Sequence, residues 1–283
     1  MSQIIDFHTH IYPDWLRSNR ESYLKQDITF GELFSHAKSK MVTADELIKE
    51  MNEQNIDHSV VMGIGWTNIS LAQKVNDYII EAIHRYPNRL TGFAGINPAW
   101  GKPAIREIER CFKSGMRGIG ELHPYSQGFD ITDKLTMSPM MEIIQNNNML
   151  LTTHASEPVG HLYQGKGDTR PEILYEFISE YPQASIICAH WGGGLPFYGL
   201  MPEVKTQLSN TYFDSAASPY LYNNKIFETI VNIVGSEQCL FGSDFPLIKT
   251  NRIVRQIQCS DLSESEKSDL LSNNASRLLG LNQ

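Results

Sequence analysis

The chain has 283 residues of ordinary globular composition, with 24 basic against 32 acidic side chains and a formal net charge of −8. That length suits one α/β barrel or two smaller domains and can bury a substantial core. The charge argues against general affinity for nucleic acid or anionic membranes, and no apolar run approaches the ~20 residues that span a bilayer.

Cys111, Cys188, Cys239 and Cys259 lie far apart and form neither a CxxC pair nor a disulfide framework. The N-terminus shows no basic segment followed by an apolar stretch, so a reducing cytoplasm is the expected setting.

The first predicted element is a short strand over Ile4–His8, read from the β-branched pair Ile4-Ile5. Side chains alternate along a strand, so His8 and His10 face the same side. Two imidazoles close together on one rigid element can grip a transition-metal ion. Residues 13–42 then form a long polar and aromatic insertion, expected as a flap over a barrel mouth.

Further strands are predicted over Ser59–Gly63, Leu90–Ile96, Gly118–Leu122, Met149–His154, Ser185–His190, Thr211–Asp214 and Gln238–Ser243. Helices are predicted over Ala44–Gln54, Leu71–Tyr86, Pro103–Ser114, Ser138–Asn147, Pro171–Tyr181 and Lys225–Val234. Thr43 and Ser138 suit N-caps, the latter with Pro139 at the first helical position. Tyr86-Pro87 and Tyr181-Pro182 suit helix stops. The sixth unit is irregular, because Trp191–Ser209 is rich in glycine and proline. The tail from Ser263 to Leu281 suits closing helices. Eight strands alternating with helices predict a single (β/α)8 TIM barrel over residues 1–283, with 13–42 inserted after strand one.

In such a barrel, chemistry sits where the strands end. Strand one ends at His8 and His10, strand four at Glu121, strand five at His154, strand six at His190 and strand eight at Asp244. Singly, each has an ordinary alternative: a strand cap, a turn residue, or for Glu121 an ion pair with Arg117. Together they place six metal-capable groups on one rim, and a cation relieves the cost of burying them.

The motifs Asp6-Phe7-His8-Thr9-His10, Thr153-His154, Ala189-His190-Trp191-Gly192-Gly193, Phe213-Asp214-Ser215-Ala216 and Phe241-Gly242-Ser243-Asp244-Phe245-Pro246, with the tail Asn273–Leu281, run through nearly the whole chain. This pattern resembles the amidohydrolase superfamily, within it the amidohydrolase-related group that includes aminocarboxymuconate-semialdehyde decarboxylase. The resemblance implies His8, His10 and Asp244 as ligands of a first divalent transition metal, with zinc the expected ion. In mononuclear decarboxylases of the group, the position of His154 completes that set and that of His190 acts on the substrate or metal-bound water. In binuclear hydrolases, those two hold a second ion bridged by a strand-four carboxylate or carboxylated lysine, the place of Glu121 here.

Glu121 therefore directs the expectation towards a hydrolase with one or two ions. Metal-bound hydroxide would attack an amide, ester or lactone carbonyl, with Asp244 as base and then acid and His190 as second ligand or oxyanion partner. The alternative is metal-dependent, non-oxidative decarboxylation of an unsaturated or aromatic acid, with His190 and Asp244 moving protons and an arginine holding the carboxylate; Arg170, just before the helix after strand five, is the candidate, its alternative reading being a solvated surface residue. A non-catalytic binding protein would lack ligands, and none is missing.

His123, Tyr125 and Trp191 are candidate substrate contacts for a small molecule. Trp15, Trp66 and Trp100 would cover substrate or bury in subunit contacts. His36, His58, His84 and His161 are expected to serve structure or face solvent. Gly192-Gly193-Gly194 lacks the following Lys-Ser/Thr of a phosphate loop. Relatives of the group are often dimers, which makes a homodimer an expectation.

Overall fold

A computed structural model describes residues 3–281. Eight strands follow one another around a single sheet in chain order, every neighbouring pair parallel. They are β1 (Ile5–His10), β2 (His58–Met62), β3 (Leu90–Ala94), β4 (Gly118–Leu122), β5 (Leu150–Thr153), β6 (Ile186–Cys188), β7 (Thr211–Asp214) and β8 (Cys239–Leu240). The seam between β8 and β1 is crossed by Phe7 N to Phe241 O (2.8 Å), Asp244 N to His8 O (2.9 Å) and His10 N to Phe245 O (2.8 Å), giving the expected TIM barrel.

Two apolar layers follow from strand alternation. Inside the barrel, Ile5, Phe7, Val60, Met62, Phe93, Leu150, Ile187 and Leu240 cluster with Ala275, and Phe7 meets Phe93 edge-on at 5.9 Å. Leu278, Leu279 and Leu281 pack against this cluster, so the C-terminal segment closes the end of the barrel where the strands begin. The outward strand residues, such as Val61, Ile119 and Cys188, meet the helices in a second, larger core.

Local signals set most boundaries. Helix Ala44–Gln54 opens with a full capping box: Thr43 Oγ1 accepts from Glu46 N (3.3 Å) and Glu46 Oε2 from Thr43 N (2.7 Å). Helices Ile69–Arg85 and Pro171–Glu180 stop at Tyr86 and Tyr181, each before a proline. The prediction of Ser138 as a cap is corrected. That helix is Lys134–Asn146, capped by Asp133, and it absorbs Pro139 in its second turn. The carbonyl left without a donor there belongs to Leu135, which is exposed to solvent. Strand eight is also shorter than predicted, because the chain leaves the sheet before Asp244, whose φ is 63°.

Residues 13–42 contain three short helices, Asp14–Ser18, Arg20–Tyr23 and Ile28–Phe34. Asp27 fastens this stretch to the loop after β2. Its buried carboxylate accepts from Phe30 N (2.9 Å), Thr67 N (2.8 Å) and Asn68 N (2.8 Å). Among the described residues no helix is long and apolar enough to cross a membrane.

Candidate metal centre

The strand ends bring the six predicted groups together at one end of the barrel. His8, His10 and Asp244 form one set of three donors and Glu121, His154 and His190 another, the donor atoms of each set lying within 4.8 Å of one another. Glu121 stands between the sets. Its Oε2 lies 3.6 Å from His8 Nε2 and 3.8 Å from His10 Nε2, while Oε1 lies 3.0 Å from His154 Nδ1 and 3.4 Å from His190 Nε2.

Each imidazole is oriented by an acceptor behind it. His8 Nδ1 lies 2.8 Å from Asp214 Oδ2, His10 Nδ1 3.2 Å from Met62 O, His190 Nδ1 3.1 Å from Ala216 O, and His154 Nε2 3.0 Å from Lys166 O. Carbonyls and carboxylates accept, so these nitrogens donate and the opposite nitrogens turn their lone pairs inward. Neutral His8 and His10 then aim two lone pairs at each other, their Nε2 atoms 3.1 Å apart. That contact is repulsive unless a proton or a metal ion lies between them. Four imidazoles and two carboxylates so arranged fit a divalent transition metal.

The electrostatics agree. Burial works to keep His8 neutral, but the carboxylates of Asp214 and Glu121 outweigh it and push its pKa well up. Against the same effect of burial, hydrogen bonding and attraction to Glu121 push His190 up to about 9. Burial works to raise Glu121 and Asp244, yet the facing histidines, His123 first for Glu121 and His10 first for Asp244, hold both below the usual carboxylate range. His154 is lowered, chiefly by burial. A metal ion would take the place of the protons that this cluster otherwise gathers.

Two turns that carry donor residues use unusual backbone. His190 and Trp191 have φ of 55° and 56°, and Asp244 has 63°. Such conformations cost of order 1–3 kcal/mol each and persist where the surroundings impose them. Gly242 makes room at the same place: a Cβ there would lie 2.8 Å from that of His8 and 3.3 Å from that of Asp214.

Above the centre lies a cavity of about 430 Å³. Its floor is His10, Glu121, His123, His154, His190 and Asp244. Tyr12, Phe34, Tyr163 and Tyr220 give it aromatic walls, and Leu33, Ile64, Leu221 and Leu247 aliphatic ones. Residues 13–42 contribute Leu33, Phe34, Ser39 and Lys40 to its lining.

The predicted substrate contacts are sorted by this geometry. His123 lines the cavity, its Nε2 3.1 Å from Glu121 Oε2 and its ring stacked on His154 at 4.7 Å. Arg170, Tyr125 and Trp191 do not line it. Arg170 turns outward to Asp168 (2.9 Å) and Glu172 (3.1 Å). Tyr125 is 64% exposed on the short helix Pro124–Gln127. Trp191 is fully buried, because the turn that presents His190 sends its neighbour into the core, where Nε1 donates to Ser218 Oγ and the ring meets Phe227 edge-on at 5.4 Å. Trp66 is likewise core, stacked on Phe30 at 5.8 Å.

Sequence reasoning gave no role to Asp214, Tyr12 or Tyr163; His161, expected to serve structure or face solvent, is exposed and also lines the cavity. Asp214 had a signal, since it ends strand seven beside the other strand-end donors. Tyr12, His161 and Tyr163 lie in loops with no such mark.

A model of the amidohydrolase family matches residues 5–281. The chain belongs to the amidohydrolase family. Among curated relatives, 2-amino-3-carboxymuconate-6-semialdehyde decarboxylase of Dictyostelium discoideum is 21% identical over 98% of this chain and 91% of that protein. Gamma-resorcylate decarboxylase of Polaromonas sp. is 21% identical over 75% of this chain and 77% of that protein. Among solved structures, 5-carboxyvanillate decarboxylase of Novosphingobium aromaticivorans, in complex with manganese and 4-hydroxy-3-methoxy-5-nitrobenzoic acid, superposes with a TM-score of 0.81 at 16% identity, covering 99% of this chain and 96% of that one.

These relatives correct the expected reaction. Glu121 had directed the reading towards hydrolysis of an amide, ester or lactone, yet these relatives, and further similar structures such as 2,6-dihydroxybenzoate decarboxylase, are decarboxylases. A strand-four carboxylate within reach of histidines does not by itself specify hydrolysis. The donor sets here and the manganese of the neighbours support a divalent metal centre.

Proposed function

We propose that this chain is a metal-dependent, non-oxidative decarboxylase of a small aromatic or unsaturated carboxylic acid. The observation that carries the reading is the joining of a histidine–carboxylate centre to an aromatic-walled cavity in a family member whose relatives are decarboxylases.

In this reading His8, His10 and Asp244 hold one divalent ion, completed from Glu121 and His154. Mixed nitrogen and oxygen donors suit manganese and zinc alike. When bound, the ion supplies Lewis-acid attraction for the oxygens of the acid. Tyr12, Phe34, Tyr163 and Tyr220 grip a planar ring and keep water from it. His190, whose Nδ1 is committed to the Ala216 carbonyl, presents Nε2 to the cavity and carries a proton to the carbon bearing the carboxylate. The bond from that carbon to the carboxylate then breaks, its electron pair returns to the π-system, and carbon dioxide leaves. Asp244, which also lines the cavity, passes the proton that recharges His190. One proton enters and one carbon dioxide departs. The aromatic and aliphatic walls of the cavity favour this exchange of a charged acid for neutral products.

The test is incubation of manganese-loaded and zinc-loaded protein with a panel of hydroxybenzoates and unsaturated dicarboxylates in D₂O. The expected result is carbon dioxide release with one deuterium at the vacated carbon, abolished by His190→Asn. No release from any acid by protein of full metal content would overturn the proposal, as would undiminished turnover in His190→Asn.

A further inference from the structure

The loop after β5 serves two places at once. It carries His161, Tyr163, Gln164 and Gly165 to the cavity wall. It also sends the carbonyl of Lys166 back towards the centre, where that oxygen accepts from His154 Nε2 at 3.0 Å and from Ser156 Oγ at 2.5 Å. Ser156 closes the base of the loop as a clasp: its Oγ accepts from Thr169 N (3.1 Å) and its N donates to Thr169 O (2.9 Å). Gly165 and Gly167, on either side of Lys166, have φ of 83° and 64°, the region in which glycine turns a peptide without a Cβ penalty.

The consequence falls on one atom. A carbonyl cannot donate, so His154 must carry its proton on Nε2, and Nδ1 is the nitrogen turned to Glu121 Oε1. Without that acceptor the ring could exchange its two nitrogens and leave a proton where a lone pair is needed. The loop is fixed at its far side as well. Tyr163 donates to Glu157 Oε2 (3.0 Å), and the Gln164 amide donates to Ser35 Oγ (2.8 Å) and to the Glu32 carbonyl.

We propose that the main-chain carbonyl of Lys166 is the positioning group for His154, held by the Ser156–Thr169 clasp and the two flanking glycines, so that one loop ties the cavity wall to the metal centre. This rests on the reading of His154 as a metal ligand. Partners of this kind are worth about 10–100-fold in metal affinity.

The experiment compares manganese binding, read from the electron paramagnetic resonance of free ion, in wild type, Ser156→Ala, Gly167→Ala and Leu162→Ala. Ser156→Ala removes the brace. Gly167→Ala disturbs the backbone without a clash, the nearest atom to a new Cβ being Ser156 Oγ at 3.5 Å. Leu162 lies in the same loop, 90% exposed and outside the cavity lining, and serves as the control. The expected result is manganese affinity lowered about 10–100-fold in the first two variants and unchanged in the third, with a shifted visible spectrum of cobalt-loaded protein. Wild-type affinity in both Ser156→Ala and Gly167→Ala would overturn the proposal. A wild type that binds neither manganese nor zinc would instead sink the decarboxylase reading. Should a variant fail to fold, nitrogen-15 resonances of the histidines in wild type decide directly: protonation of His154 at Nε2 supports the assignment, and at Nδ1 ends it.

Discussion

Asp214 Oδ2 lies 2.8 Å from His8 Nδ1, and the other oxygen of the same carboxylate accepts the backbone N–H groups of His190 and Ala216, each at 3.0 Å. One fully buried side chain thus orients a ring of the first donor set and the turn that carries a donor of the second. Asp214→Asn should weaken manganese binding about 10–100-fold, because an amide that turns its nitrogen to His8 favours the wrong tautomer. Calorimetric titration of metal-free protein checks it, and equal affinity in the two proteins would contradict the assigned role.

Glu121→Gln should retain one ion per chain, because His8, His10 and Asp244 are untouched, while turnover falls at least about 100-fold through the lost partner of His190. Metal content by mass spectrometry, measured alongside carbon dioxide release, checks both parts. Two ions in wild type falling to one would count against the single-ion reading.

Trp191→Ala should cost about 3–5 kcal/mol of folding stability, as expected for emptying a fully buried indole site. Chemical denaturation measures this. Trp191→Phe should recover most of the loss, which distinguishes a core residue from a substrate contact.

Glu107 allows a pH prediction remote from the metal. Burial works to raise its carboxyl, but the Arg110 guanidinium (2.8 and 2.9 Å) and the Asn76 amide (2.9 Å) outweigh it and hold it below the ordinary value of 4.5. A lowered folded-state pKa means that the contribution is complete above 4.5 and fades as pH falls through the folded value. The stability gap between wild type and Glu107→Gln should therefore be widest near neutrality and shrink below pH 4.5. Urea melts at several pH values would show this, and a gap that widens in acid would contradict it.

The barrel was legible because its evidence is repetitive: β-branched runs at helix-length intervals, stops at Tyr86 and Tyr181, and an N-cap at Thr43. The six donors were legible because strand ends are where this architecture gathers its chemistry. What escaped notice depends on backbone direction. Nothing in Ala189-His190-Trp191-Gly192 announces that two successive residues take positive φ, and so His190 and Trp191 were assigned to the same cavity when the turn parts them. Of the two readings of Arg170, carboxylate contact or solvated surface residue, the second holds, because Asp168 and Glu172 flank it and draw the guanidinium outward. Ser138-Pro139 looked like a helix start because the earlier cap, Asp133, lies in a stretch without a strong periodic pattern. The reaction was misjudged for a different reason: Glu121 indicates which groups gather, not which bond they break.

The leucines of the C-terminal tail seal the barrel at the opposite pole from the histidines. Foundation and workshop are thereby kept apart. Loops around the cavity can lengthen, shorten or exchange their tyrosines while the plug of Leu278, Leu279 and Leu281 stays in place. A lineage built this way can be retargeted to new ligands one loop at a time, with the cost of each trial confined to the rim.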